Sequence, residues 1–309
     1  MKQYLTLVNN TKKNQDLKLF LKENWKKKYK KIFEKKGAIL FRGFKVSNIN
    51  EFNSVVKSIH KKVLNYEEAS TPRSKIKGKV YTSTQISPQV EIPIHNEMSY
   101  TTKFPQNLWF YSNKVAEKGG QTTIANSKKI YDEIDSKIKK DFEKNKIMYI
   151  RRYGYGLDLT WSRAFNTKNK NKVSAYCKKN KIKFKWIDKD KLITWKINNF
   201  SIFNPIIKSK IWFNQAHLFH KSNYDNKTKL LFNKVLGKNY FPRDTKFGNG
   251  KEIPLNHLKK IRGVLEKNSV NVNWKESDIL ILNNLLISHG RRKYTESKYY
   301  VFYNKPMFF

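Results

Sequence analysis

The stretch IPIHNEMSY, residues 92–100, sets an imidazole and a carboxylate two residues apart, at His95 and Glu97, behind a proline flanked by isoleucines. On an extended strand these two positions point to the same face. Side by side they can form a buried hydrogen-bonded pair, half of an acid/base couple, or two ligands of one metal. A third group has to decide, and the chain has only six histidines from which to draw it. His60 lies in a basic amphipathic pattern and His257 in the polar run LNHLKK, so both are expected at the surface. His217 and His220, in FNQAHLFH, share a helical face but have no carboxylate close by in sequence, which favours packing beside a pocket over metal binding. His289 closes the apolar run ILILNNLLIS at a glycine, the point where a buried strand emerges; an active-site histidine and a satisfied core histidine would both look this way. Taken together, His95, Glu97 and His289 supply two imidazoles and a carboxylate. That is the donor set of the facial triad of non-haem Fe(II) oxygenases, with three positions left open. A zinc hydrolase uses the same donor types, so at this stage the metal stays open.

Working outward, the sequence reads as one domain of mixed structure. LKLFLKENWKKKYKKIFEKKG carries apolar residues at helical spacing, closed by Gly37, with lysines on the wet face. GAILFRGF (37–44) reads as a buried strand and INEFNSVVKSIHKKVL (49–64) as an amphipathic helix. KVYTST, the HNEMSY region and QNLWFYSNKV are β-rich, and residues 127–145 read as one helix with Ser127 as a candidate cap. IMYIRRYG reads as a strand, residues 156–262 as a mixed insertion, and the tail from SVNVNW through SKYYVFY returns to strands. Early and late strands flanking a mixed middle predict a mostly β fold with added helices (α+β), a double-sheet β architecture in a single domain spanning 1–309.

The composition bounds the partners. A hydrophobic share of 39% with 14% aromatics suits a globular chain despite the polar average. The formal charge of +41 invites an acidic partner, nucleic acid included. Only 9 of the 65 basic residues are arginine, however, and phosphate or base recognition leans on the arginine fork. A lysine- and asparagine-heavy drift over a solvated face is therefore the favoured origin of the charge. The single cysteine, Cys177, excludes an internal disulfide and a thiolate zinc site, and its setting in VSAYCKKN suggests a half-buried thiol on a helix. MKQYLTLVNN lacks the apolar core of a secretory signal and no window reaches 18 apolar residues, so a cytoplasmic, soluble protein with no membrane contact is expected.

Six ordered blocks give the chain a family likeness: GAILFRGF (37–44), TPRSKIKGKVYTST (71–84), HNEMSY (95–100), AEKGGQTTIANSKKIYDEI (116–134), WFNQAHLFH (212–220) and ILNNLLISHGRRKY (281–294). Together they resemble the Fe(II)/2-oxoglutarate dioxygenases of the taurine dioxygenase class, in particular its clavaminate-synthase-like and syringomycin-type amino-acid hydroxylase branch. The resemblance implies a double-stranded β-helix (jelly roll) with helices packed outside it. It implies His95, Glu97 and His289 as Fe(II) ligands, Glu97 standing where many relatives have Asp, and Thr122 as a hydrogen bond to the far carboxylate of 2-oxoglutarate. Relatives clamp that carboxylate with an arginine nine or ten residues past the distal histidine. Here the matching position is Lys298, a point charge without the fork, which would weaken co-substrate binding by ~1–2 kcal/mol. Arg291 or Arg292 could supply the charge instead. Asn283 is a smaller departure, where relatives often have Asp. Arg73, Asn96, Trp212, Asn214 and Gln215 are candidates to hold substrate, each equally able to do no more than pack or cap. The implied activity is hydroxylation of an amino acid, free or tethered to an acidic carrier protein, with release of succinate and CO2. The rival readings are a basic nucleic-acid-binding or structural protein with a vestigial metal site, and a nucleic-acid-modifying dioxygenase.

Overall fold

The computed structural model describes residues 4–60, 68–71, 75–77, 80–81, 86–238, 240–295 and 307–308. Its centre is two facing sheets. The first has five strands in the order Leu5–Asn9, Ala38–Arg42, Ile279–Asn283, Asn107–Tyr111 and Met307–Phe308, antiparallel except for the parallel first pair. The second has four antiparallel strands in the order Val270–Val272, Thr122–Asn126, Ile287–Arg291 and Ile92–His95. Early and late strands thus pair in both sheets, forming the jelly roll that the sequence pattern and the family likeness anticipated.

The apolar runs explain this layering. In Ala38–Arg42 and Ile279–Asn283 successive side chains alternate faces, and both faces are covered. Leu40, Leu280 and Leu282 point between the sheets and meet Ile124, Val272 and Ile287 of the second sheet. Ile39, Phe41, Ile279 and Ile281 point the other way, onto Leu17, Leu21, Trp25, Phe52 and Val56 of the N-terminal helices. A strand buried on both sides reads as an unbroken hydrophobic run, which is why these two were legible in sequence. Burial of each such side chain contributes about 1.5–3 kcal/mol.

The N-terminal helical run spans Leu17–Lys36, with a π-helical stretch at Trp25–Tyr29 between two α-helical parts. Asp16 caps its start by accepting from the Leu19 amide, and Gly37 ends it in the left-handed region at φ 89°. A Cβ on Gly37 would come within 2.7 Å of Ile287 Cγ1, so this position needs glycine for both backbone and space. The helix expected over 49–64 runs Ile49–Ile59, capped by Asn48; residues 61–67 lie outside the described part.

Residues 127–145 form two helices rather than one, Ser127–Glu133 and Ser136–Asn145, because Asp135 caps a second start. Asn126, not Ser127, caps the first by accepting from the Lys129 amide, while the Ser127 hydroxyl turns into the core. The elaboration expected over 156–262 builds onto a strand that precedes it. Its four-stranded sheet, in the order Lys183–Trp186, Leu192–Asn198, Ile147–Tyr153 and Arg243–Phe247, takes in the strand before residue 156. Cys177 is fully buried rather than half-buried, and burial pushes its thiol up to about 12. Among the described residues no helix is long and apolar enough to cross a membrane.

Candidate metal centre

The edge strand Ile92–His95 tolerates Pro93, whose missing N–H costs no ladder bond at a sheet margin. His95 ends this strand and stands directly opposite His289, in the middle of Ile287–Arg291. Their rings lie 4.6 Å apart between centroids, tilted by 45°. Gly290 is obligatory beside them, since a Cβ there would sit 2.5 Å from the Ile92 carbonyl oxygen and 2.6 Å from Thr123 Oγ1.

Glu97 does not occupy the strand position that the two-residue spacing suggested. The strand stops at His95, and Glu97 belongs to the turn that follows, ahead of Met98 at φ 55°. Its carboxylate comes to the histidines because Asn284 grips the turn from both sides. The Glu97 N–H donates to Asn284 Oδ1 at 2.7 Å, and Asn284 Nδ2 donates to the carbonyls of Glu97 at 3.0 Å and Pro105 at 2.8 Å. Glu97 Oε2 ends 3.8 Å from His95 Nε2 and 3.5 Å from His289 Nε2. One ligand atom from each of the three lies within 4.8 Å of the others. His95 Nδ1 is 2.8 Å from the Pro93 carbonyl, which can only accept. The proton is therefore on Nδ1, and the Nε2 lone pair faces Glu97 and His289, as a metal ligand requires. Two imidazoles and a carboxylate, nearly buried and converging by their lone pairs, fit a divalent iron.

The other sequence candidates divide sharply. Asn96 is fully buried and serves as a post: Nδ2 donates to Ser127 Oγ at 3.1 Å and to the Asn284 carbonyl at 2.7 Å, and Oδ1 accepts from Ser288 at 3.3 Å. Trp212 packs edge-on against Phe200 at 5.2 Å, and Asn214 donates to the Phe200 carbonyl at 2.6 Å; both are core residues. Gln215 donates to the Asn96 carbonyl at 2.7 Å and lines a cavity of about 340 Å³ that also receives His95 and Glu97. Asn96, Trp212 and Asn214 do not line it. Thr122 is buried opposite Arg291, its hydroxyl accepting from Trp274 Nε1 at 3.2 Å. Arg291 Nη2 donates to the carbonyls of Ser87 at 3.0 Å and Val90 at 2.8 Å, tying down the loop before the edge strand. Arg292 is engaged with Glu91 at 2.6 Å and Glu266 at 2.5 Å. Arg73 and Lys298 lie outside the described residues.

His217 stands behind the site: its Nε2–H donates to the Ile94 carbonyl at 2.8 Å, the packing role its spacing suggested. Burial, reinforced by Arg262, lowers it to about 3, so it stays neutral. His60, expected at the surface, instead sits edge-on against the buried Trp109 at 5.9 Å. Burial lowers it to about 4. Sequence reading missed Asn284, Arg243 and Asp158. A signal for Arg243 was present, an arginine spent in a chain that otherwise uses lysine.

With this geometry established, likeness to known proteins becomes informative. The family model described as taurine catabolism dioxygenase TauD, TfdA family matches residues 6–302. The chain belongs to this family and is an Fe(II)/2-oxoglutarate-dependent dioxygenase. The dapdiamide synthesis protein DdaC of Enterobacter agglomerans is 36% identical over 263 residues, 85% of this chain and 80% of that protein. A clavaminate synthase-like protein of Arabidopsis thaliana is 27% identical over 281 residues, 85% of this chain and 79% of its own. Among solved structures, PvcB, an Fe, alpha-ketoglutarate dependent oxygenase from an isonitrile synthetic pathway, shares the fold at TM-score 0.56 and 12% identity, over 99% of this chain and 86% of its own. AAD-2 in complex with Mn(II) and N-oxalylglycine does so at TM-score 0.54 and 10% identity, over 100% and 94%.

Proposed function

We propose that this dioxygenase, acting as one domain elaborated at 156–262, hydroxylates an amino acid or amino-acid-derived substrate, free or carrier-tethered, with release of succinate and CO2. One observation carries the reading: His95 and Glu97 of the three-residue cluster line a cavity of about 340 Å³, room for a small molecule beside the metal position. DdaC, a dapdiamide synthesis protein, is the relative whose described role points to amino-acid chemistry.

In this reading His95, Glu97 and His289 hold Fe(II), and Thr122 with Lys298 holds the far carboxylate of 2-oxoglutarate. Bound there, iron and 2-oxoglutarate supply the oxidising power for the reaction with O2. The protein's own groups orient and enclose. The Pro93 carbonyl fixes the tautomer of His95, Asn284 fixes the turn that carries Glu97, and Phe110 packs edge-on against His289 at 5.4 Å. The cavity wall excludes water around the substrate carbon to be oxidised. Ligand Glu97 also argues against halogenation, since a carboxylate fills the position that chloride would need.

A succinate-release screen across the free amino acids, with Fe(II), 2-oxoglutarate and O2, tests the reading. At least one amino acid is expected to stimulate succinate formation in the wild type and none in His95→Ala. Stimulation that survives in His95→Ala contradicts the proposed ligand set.

A further inference from the structure

The cavity at the metal position is walled largely by apolar side chains, among them Ile86, Leu157, Leu218, Phe219 and Phe232. Set into that wall is a guanidinium facing a carboxylate: Arg243 Nε donates to Asp158 Oδ2 and Nη2 to Oδ1, each at 2.5 Å. Arg243 starts the strand Arg243–Phe247, paired along its length to Ile147–Tyr153, and its guanidinium stacks 5.5 Å over the Phe219 ring. The charge is therefore held by rigid elements. Among the described residues lining the cavity it is the only cation.

Other arginines here spend their donors on protein acceptors. Arg42 takes both oxygens of Asp278 and the Asn273 carbonyl, and Arg151 takes the carbonyls of Glu68 and Ala69. Arg243 alone of these three lines the cavity; its Nη1 makes no hydrogen bond to the described residues and its side chain keeps 21% exposure. On the partner, Asp158 Oδ1 also accepts from the Leu159 amide at 2.7 Å, whereas among the described residues Oδ2 accepts only from Arg243 Nε. The pair thus offers two N–H donors and one carboxylate lone pair from a wall that also carries Glu91, Glu97 and Asp225.

We infer that Arg243, paired with Asp158, anchors the charged head of the substrate: an α-amino acid lays its carboxylate on the Nη1 edge of Arg243 and its ammonium on Asp158 Oδ2. The inference rests on the amino-acid reading above and names the residues that would recognise that class. Burial works to raise the Asp158 carboxyl, but Arg243 overrides it and holds the group below the usual carboxylate range, so both charges persist at neutral pH.

The test compares the wild type with Arg243→Gln/Asp158→Asn, which removes both charges together and strands neither. The probes are free L-amino acids and the corresponding carboxamides, with succinate release as the readout. In the wild type the best amino acid is expected to exceed its carboxamide at least 10-fold in kcat/KM, and the double variant is expected to lose that preference. The half-saturation of the anaerobic Fe(II)–2-oxoglutarate absorption band should not move. If the double variant melts early, Arg243→Lys, which keeps the charge without the Nη1 donors, is expected to lower the preference at least threefold. An unchanged preference for acid over amide overturns the inference and leaves the amino-acid reading standing. A 10-fold weaker half-saturation for 2-oxoglutarate assigns Arg243 to the co-substrate and overturns it as well. A wild type stimulated by no free amino acid and no carboxamide overturns the inference, and with it the free-substrate form of the amino-acid reading.

Discussion

The two sheets of the jelly roll face each other across one core yet are built on different chemistry. The five-stranded sheet is apolar on both faces, with Ile39, Phe41, Trp109, Ile279 and Ile281 against helices and Leu40, Leu108, Leu280 and Leu282 inward. The four-stranded sheet carries buried polar groups instead: Thr122, Thr123, Ser288 and His289 on its strands, with Asn96, Ser127 and Asn284 at its margin. Apolar packing is non-directional and tolerates exchange at constant volume, whereas a buried hydrogen bond demands a particular partner at a particular angle. The first sheet therefore supplies stability and the second supplies position. Asn96, Asn284, Ser127, Ser288 and Gln215 form one connected network around the Glu97 turn.

This contrast can be broken experimentally. Ile281→Ala empties volume in the apolar sheet and is expected to cost about 4 kcal/mol in urea unfolding, with turnover per folded molecule unchanged. Loss of turnover in that variant would erase the division between the sheets. Asn284→Ala strands the buried Glu97 amide, costs about 3 kcal/mol, and lowers succinate formation at least 100-fold because the turn carrying Glu97 is no longer held. A variant equally destabilised but fully active would show that Glu97 needs no such support.

A smaller effect is read against pH. Burial, with Lys221 and Arg262 nearby, lowers His220 to about 4. The folded form thus binds fewer protons than the unfolded form below the ordinary histidine value. Stability from this residue is complete above about pH 6.5 and is lost as pH falls toward 4, amounting to ~2 kcal/mol at pH 5. His220→Gln should flatten unfolding free energy against pH by that amount; an unaltered slope would refute the neutral, buried state. The smallest expected effect is at the surface. Lys128 and Asp132 pair at 2.5 Å one helical turn apart, yet Lys128→Ala should change stability by less than about 0.5 kcal/mol.

The same contrast explains what the sequence disclosed. Ala38–Arg42 and Ile279–Asn283 were legible because strands covered on both faces leave unbroken apolar runs. His95, Glu97 and His289 were legible as residue types, since two imidazoles and a carboxylate at the ends of apolar strands have few other uses. The position of Glu97 was not legible: periodicity put it on a strand, whereas the chain turns after His95 under the pull of Asn284, 187 residues away. Substrate candidates drawn from strand motifs fared worst. Trp212, Asn214 and Asn96 turned out to be core and post, because local pattern cannot tell a wall residue from one behind the wall. The cavity is lined by segments distant in sequence, and Arg243 with Asp158 meets there only through the sheet around Ile147–Tyr153. Arginine itself was the overlooked clue. Of 9 arginines among 65 basic residues, Arg42 and Arg243 each lay a planar fork on a carboxylate.

The most direct test of the central claim is an anaerobic titration of the protein with Fe(II) and 2-oxoglutarate, followed by visible absorption. A weak charge-transfer band saturating at one iron per chain, absent from a folded His95→Ala variant, is the result predicted for iron held by His95, Glu97 and His289. A wild type that develops no band, or a His95→Ala variant that develops the same one, would contradict it.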